Sequence, residues 1–243
     1  MKQVFKVKDK ALLDAAELIL DEIKAIGADE GETWVSRSAL TEVYYELGKV
    51  SMVRTVFSDN VSLKLLKDKR KGSTTLNSFA PEDIRLAVRE AWQAAQSAAP
   101  DEAEGIAELQ ENLSFSAGAE KPDLDAMYGQ LDQLLKDVRQ DFPKISFDSI
   151  GIEHHFGEKL YANTNGVRLS DRRGFYRLSN MFMAKEQGKS SSFNYFFTVY
   201  ENPAARVCEE SRVRRLLDES QRQIVTEQFE GSFEGDVVIT PGC

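Results

Sequence analysis

The sequence predicts an α+β fold, because helical and strand patterns fall into separate runs instead of alternating strictly. Three observations carry this. Apolar positions recur mostly at three- and four-residue steps in Lys10 to Ile26 and mark a second amphipathic pattern in Asp123 to Gln140, and further helices are expected over Pro81 to Ala98 and Pro203 to Gln223. Short runs rich in Val, Tyr, Phe and Thr fill the spaces after the two amphipathic patterns. The order is helix, antiparallel meander, helix over 10 to 98, and again over 124 to 223. That suggests two such units, an architectural pseudo-repeat with no residue-level repeat behind it.

Each element has a local reason. Leu12, Leu13, Ala16, Leu18, Ile19, Leu20, Ile23 and Ile26 recur mostly at three- and four-residue steps, and Gly27 stops the first helix. Thr33 to Arg37, Thr41 to Leu47, Val50 to Phe57 and Val61 to Leu66 read as strands, punctuated by Gly31, Gly48, Asp59-Asn60 and Lys71-Gly72, with another strand near Ser73 to Leu76. Asn77 or Ser78 would cap the second helix, with Pro81 in its first turn and Glu82 and Asp83 at the positive end of its dipole. Pro100 to Pro122 reads as an exposed connection, with a turn of helix around Gly105 to Gln110. Leu124, Met127, Leu131, Leu134, Leu135 and Val138 mark the third helix, closed by Phe142-Pro143. Strands follow at Ile145 to Phe156, Lys159 to Ala162, Val167 to Leu169, Phe175 to Lys185 and Phe193 to Tyr200. Asn165-Gly166 supplies the pair suited to a type I′ hairpin turn. After a loop from Phe229, Val237-Val238-Ile239 reads as a strand opening a further domain. The expected division is a first domain over 1–230 and the start of a truncated one over 231–243.

The 243 residues suit one ample domain or two small ones, and 42% hydrophobic with 29% charged residues is ordinary for a globular chain. A net charge of −9 opposes binding to a phosphate backbone, so nucleic acid is not an expected partner. No apolar run approaches the length of a membrane span, and Met1 to Lys8 lacks a signal-peptide core, so a cytoplasmic protein without membrane association is expected. Cys208 and Cys243 form neither a disulfide framework nor a zinc knuckle.

Chemistry-bearing patterns are sparse. His154 and His155 are the only histidines, and adjacent strand residues point to opposite faces, so one should pack inside while the other meets water. No His-Glu-x-x-His, Cys-x-x-Cys, EF-hand loop, Gly-x-Ser-x-Gly or phosphate-binding glycine loop is present. Ser190-Ser191-Ser192 reads as turn residues, and Arg172-Arg173 as a turn-side pair. The basic run from Lys64 to Lys71 reads as solvated charge protecting a hairpin or sheet edge. The acidic pairs Asp21-Glu22, Glu82-Asp83, Asp101-Glu102 and Glu209-Glu210 form no dyads, since neighbours on a helix diverge by roughly 100°. The residues therefore nominate no catalytic, cofactor-binding or metal-binding side chain.

Four stretches, in their order, resemble the N-terminal domain of the TldD/PmbA family. They are Lys71 to Asp83, the alanine-rich Ala87 to Ala98 helix with Pro100-Asp101, the hairpin Tyr161-Ala162-Asn163-Thr164-Asn165-Gly166, and Phe233 to Cys243. Of the family's branches, PmbA (TldE) is the more similar. The resemblance implies a cytoplasmic metallopeptidase, or its non-catalytic partner subunit, acting in proteolysis or peptide maturation by removing leaders or degrading unfolded peptides. It implies a TldD-like subunit or a second copy as partner, and zinc in the catalytic subunit or C-terminal domain, held by a His-Glu-x-x-x-His motif that nothing in 1–243 matches. The alternative is a stand-alone peptide-binding or interaction module without catalysis. Either could hold extended peptide by strand addition at a sheet edge, such as Phe193-Asn194-Tyr195-Phe196-Phe197.

Overall fold

The structure, a computed structural model, describes residues 7–46, 49–204, 213–226, 230–232 and 234–239. Cys208, Cys243 and the Glu209-Glu210 pair lie outside the described residues. The fold is α+β; among the described residues four helices lie on one curled, mostly antiparallel sheet. In chain order the elements are α1 (Lys10–Ala25), β1 (Glu30–Glu46), β2 (Lys49–Lys67), β3 (Arg70–Leu76), α2 (Pro81–Ser97) and β4 (Leu113–Ala117). Then come α3 (Leu124–Asp141), β5 (Ile145–Asn163), β6 (Arg168–Glu186), β7 (Lys189–Ser190), β8 (Asn194–Tyr200) and α4 (Val213–Arg222).

The strands are fewer and longer than the sequence suggests. Asp59-Asn60 is no turn: it pairs within one continuous β2, opposite Arg37 and Ser36, and the Asp59 carboxylate accepts two hydrogen bonds from Arg37 at 2.7 and 2.8 Å. Likewise β5 and β6 run unbroken through Gly157 and Gly174. Arg172-Arg173 is therefore mid-strand. The Arg172 guanidinium sits over the Phe156 ring and pairs with Glu120 and Glu158.

The turns differ from the expectation in type and in place. A type I′ turn needs positive φ at both central positions. Asp68 and Lys69 (φ 50° and 60°) and Gln187-Gly188 (48° and 79°) meet this, whereas in Asn165-Gly166 only the glycine does, at 91°. The bend there is held instead by Asn163, whose Oδ1 accepts from the Val167 amide at 3.0 Å. Gly72 belongs to β3, where it lets the α2 backbone approach: a Cβ would lie 1.7 Å from the Ala91 carbonyl oxygen.

Other local expectations also shift. Ala80, not Asn77 or Ser78, is the N-cap of α2, and Ser78 Oγ accepts from the Ala80 amide. The connection between α2 and α3 holds the strand β4 rather than a helical turn. Ser191 is buried, its Oγ accepting from the Ala184 amide. Residues 234–239 form no strand, and Val237, Val238 and Ile239 are each about four-fifths exposed. The last helix is described only over Val213–Arg222.

The sheet order is β3-β2-β1-β5-β6, and β6 carries β4 and β8 in tandem along its far edge, β4 parallel and β8 antiparallel. The expected two units thus share one sheet through the β1–β5 pairing, which joins them without establishing a repeat. Because side chains alternate along strands, the register puts odd positions of β1 and even positions of β5 and β6 on one face. Both cores lie on it. At one end α1 and α2 cover Val35, Val61, Leu63, Leu65 and Leu160; at the other α3 and α4 cover Val43, Ile150, Ile152, Leu178 and Phe182. Each helix uses the stripe its sequence shows, such as Leu12, Ala16, Ile19 and Ile23 of α1.

Candidate functional site

Between the two cores the chain itself crosses the helix-bearing face. After β4 it passes over β6 at Gly174, and His154 holds it there, Nε2 lying 3.1 Å from the Ala119 carbonyl oxygen. His154 is buried against Tyr176, and that burial pushes its pKa down. Glu120 accepts from Lys8 and Arg172, whose hydrogen bonds hold its carboxyl down to about 2. His154 is thus a structural clasp.

His155 points to the opposite face, as the alternation requires. Among the described residues that face carries no helix. Here Glu153, 3% exposed at its side chain, accepts from Tyr44 Oη at 2.5 Å, His155 Nε2 at 2.7 Å and Arg177 Nη2 at 2.7 Å. Burial alone would raise the Glu153 pKa, but the three donors outweigh it and hold the group down to about 2. Tyr44 reaches Glu153 because Gly151 lies beneath its ring, where a Cβ would come within 2.6 Å. Glu42, also buried, is paired with Arg54. Both acids of this cluster are held by cationic or phenolic partners, Glu42 by Arg54 and Glu153 by Arg177 and Tyr44, so neither carboxylate is left unpaired.

The two histidines therefore cannot converge on one ion, and each already has an oxygen partner. Among the described residues no three His, Cys, Asp or Glu side chains are placed to hold a metal. The donors present do not fit the zinc centre that the resemblance implies for a catalytic subunit.

Two features of the open face remain available. The first is β8. Tyr195, Phe197 and Val199 project from it with 72%, 66% and 54% exposure, beside Met181 of β6. On the helix side Phe196 and Tyr200 pack into the core, and Tyr200 Oη donates to Gln130. Among the described residues β8 pairs only with β6, so its other edge keeps unpaired amides and carbonyls. No charged residue occurs from Ser190 to Tyr200. Edge strands are usually protected by charge or cover, and among the described residues this one has neither.

The second is a recess over β1, β2 and β3, about 490 Å³, lined by Glu32, Trp34, Ser62, Lys64, Ser73 and Thr75. Trp34 forms one wall, packed at 4.8 Å on Tyr161. Glu32 is fixed by Tyr161 Oη at 2.7 Å and Lys64 Nζ at 3.0 Å, and Glu104 is clasped by Lys64 and Lys71. The basic run therefore does more than shield an edge. Lys64, Lys69 and Lys71 reach Gly105 and Glu104 and pin the connection that follows α2, while Lys67, through Asp29, pins the one between α1 and β1. Sequence reasoning missed this recess, although the even spacing of Glu32 and Trp34 on a strand was its visible signal.

Among the described residues no helix is long and apolar enough to cross a membrane. The family model described as PmbA/TldA metallopeptidase domain 1 matches residues 35–95, and that of the PmbA/TldA metallopeptidase central domain matches residues 80–218. No curated protein matches. Among solved structures, TldE from Thermococcus kodakarensis is similar over 86% of this chain and 47% of its own, with 19% identity and a TM-score of 0.67. A proposed modulator of DNA gyrase from Bacteroides thetaiotaomicron VPI-5482 is similar over 89% of this chain and 51% of its own, at 17% identity and a TM-score of 0.65. Another from Thermotoga maritima MSB8 is similar over 87% and 47%, at 16% identity and a TM-score of 0.61. At these identities the likeness shows the fold, and the chain spans about half the length of each structure. With the central-domain model alone matching more than half of the residues, the chain belongs to the PmbA/TldD metallopeptidase family.

Proposed function

We propose that this chain is the peptide-holding N-terminal portion of a PmbA/TldD-type protein acting in proteolysis or maturation of peptides in the cytoplasm. It would work beside a catalytic zinc-bearing portion or a TldD-like subunit. The observation that carries this is β8: seven residues with no charge, apolar side chains alternating outward and, among the described residues, a free edge. An extended peptide added there would gain main-chain hydrogen bonds from any sequence, while Tyr195, Phe197 and Val199 would favour apolar residues at alternate positions. That is a sequence-tolerant grip, suited to unfolded or leader segments.

The test is fluorescence anisotropy of a labelled peptide of about ten residues with valine at alternate positions. Saturable binding that Phe197→Lys weakens by about tenfold or more supports the reading. Binding unaffected by Phe197→Lys contradicts it. The alternative, a stand-alone binding module, differs only in whether a catalytic portion accompanies the chain.

A further inference from the structure

The recess beside Trp34 lies at the opposite end of the sheet from β8 and has a different character. We propose that it is a side-chain subsite for an aromatic ring on an uncharged, extended peptide segment laid along the outer edge of β3. The inference goes beyond the reading of β8 and stands on other residues.

The register makes the floor. On the open face Glu32, Lys64 and Ser73 form one row across three strands, and Trp34, Ser62 and Thr75 form the next. Small hydroxyl residues at Ser62, Ser73 and Thr75 leave the hollow open towards the β3 edge, while the indole closes its inner end. Among the described residues β3 pairs only with β2. At about 4.8 Å between strands, a segment added outside β3 would run about 14 Å from β1. That gap suits one indole reaching outward and one aromatic side chain reaching inward over the hydroxyl floor.

Charge decides the class of ligand. Glu32 and Glu104 are already paired with Lys64 and Lys71, and Glu32 also accepts from the Tyr161 hydroxyl, so a charged side chain would find no free counter-ion. Trp34 is 50% exposed with its orientation fixed by Tyr161, which offers a rigid face for ring stacking.

The experiment is a titration of tryptophan emission in the 243-residue chain with two acetylated, amidated tripeptides, Ala-Phe-Ala and Ala-Ala-Ala. Cellotriose serves as a non-peptide probe. The expected result is a saturable shift with Ala-Phe-Ala and binding about tenfold or more weaker for Ala-Ala-Ala. Trp34→Phe should remove the shift, because Trp92, the other indole, packs against the α1–α2 core. Ser62→Leu, which fills the floor, should weaken binding, while Phe197→Lys at β8 should leave it unchanged. Equal responses to both peptides, a response indifferent to Ser62→Leu, or tighter binding of cellotriose would overturn the proposal. Loss of binding in Phe197→Lys would overturn it too, by assigning the peptide to β8.

Discussion

Gly118 and Gly174 cross in backbone contact: a Cβ on Gly118 would lie 1.7 Å from the Gly174 carbonyl oxygen, and one on Gly174 would lie 1.7 Å from that of Ala119. This crossing takes the chain from β4 over β6 to the midline of the helix-bearing face, where His154 receives it. It separates the two cores and fixes how α3 enters.

Gly174→Ala should therefore destabilise the fold by about 1–3 kcal/mol or more, since the obstructing atoms are backbone and cannot rotate away. Gly105→Ala, with open space around its Cβ, should stay within about 0.5 kcal/mol of the parent. Chemical denaturation of the two variants checks the contrast.

Acid should weaken the fold in two stages. His154 and Glu153 both have folded pKa values below their usual ones, so for each the stabilisation is complete above the unfolded value and is lost as pH falls towards the folded value. For His154 the loss begins below about 6.5. For Glu153 it runs from 4.5 down to about 2. Denaturation midpoints across this range should show both stages, and His154→Gln should lack the first.

Glu153→Gln should cost about 2 kcal/mol, because the buried carboxylate that Tyr44, His155 and Arg177 all bond is lost, while Arg177, 41% exposed at its side chain, is resolvated by water. Tyr44→Phe removes one donor of three and should cost about 1 kcal/mol. Thermal or urea unfolding gives both values. A Glu153→Gln loss no larger than that of Tyr44→Phe would show that the cluster is solvated.

Much of the fold was legible because burial on one face imposes period. The stripes of α1, α2 and α3 and the opposed orientations of His154 and His155 follow from side-chain geometry alone. Turns were harder. Asp59-Asn60 has turn-forming residues but lies in mid-strand because Arg37 across the ladder takes the carboxylate, and the true turn, Asp68-Lys69, contains no glycine. Long-range partners override local propensity in both cases. The open-face cluster was illegible for the same reason: Tyr44, Glu153 and Arg177 meet only through strand order and register, which no local pattern encodes. The β8 edge, by contrast, was visible as an uncharged aromatic run.

Elemental analysis of the purified chain after mild chelation should find no stoichiometric zinc, since His154 and His155 face apart and both are engaged. About one zinc per chain would contradict the placement of these histidines.

The central claim is that the free edge of β8 holds extended peptide, and amide hydrogen exchange across Asn194–Tyr200 tests it most directly. Adding an unfolded, valine-alternating peptide should slow exchange at the outward amides of β8, about tenfold or more at saturation, with little change in β1 and β5. Unchanged exchange throughout β8 at peptide concentrations that saturate binding would contradict the claim.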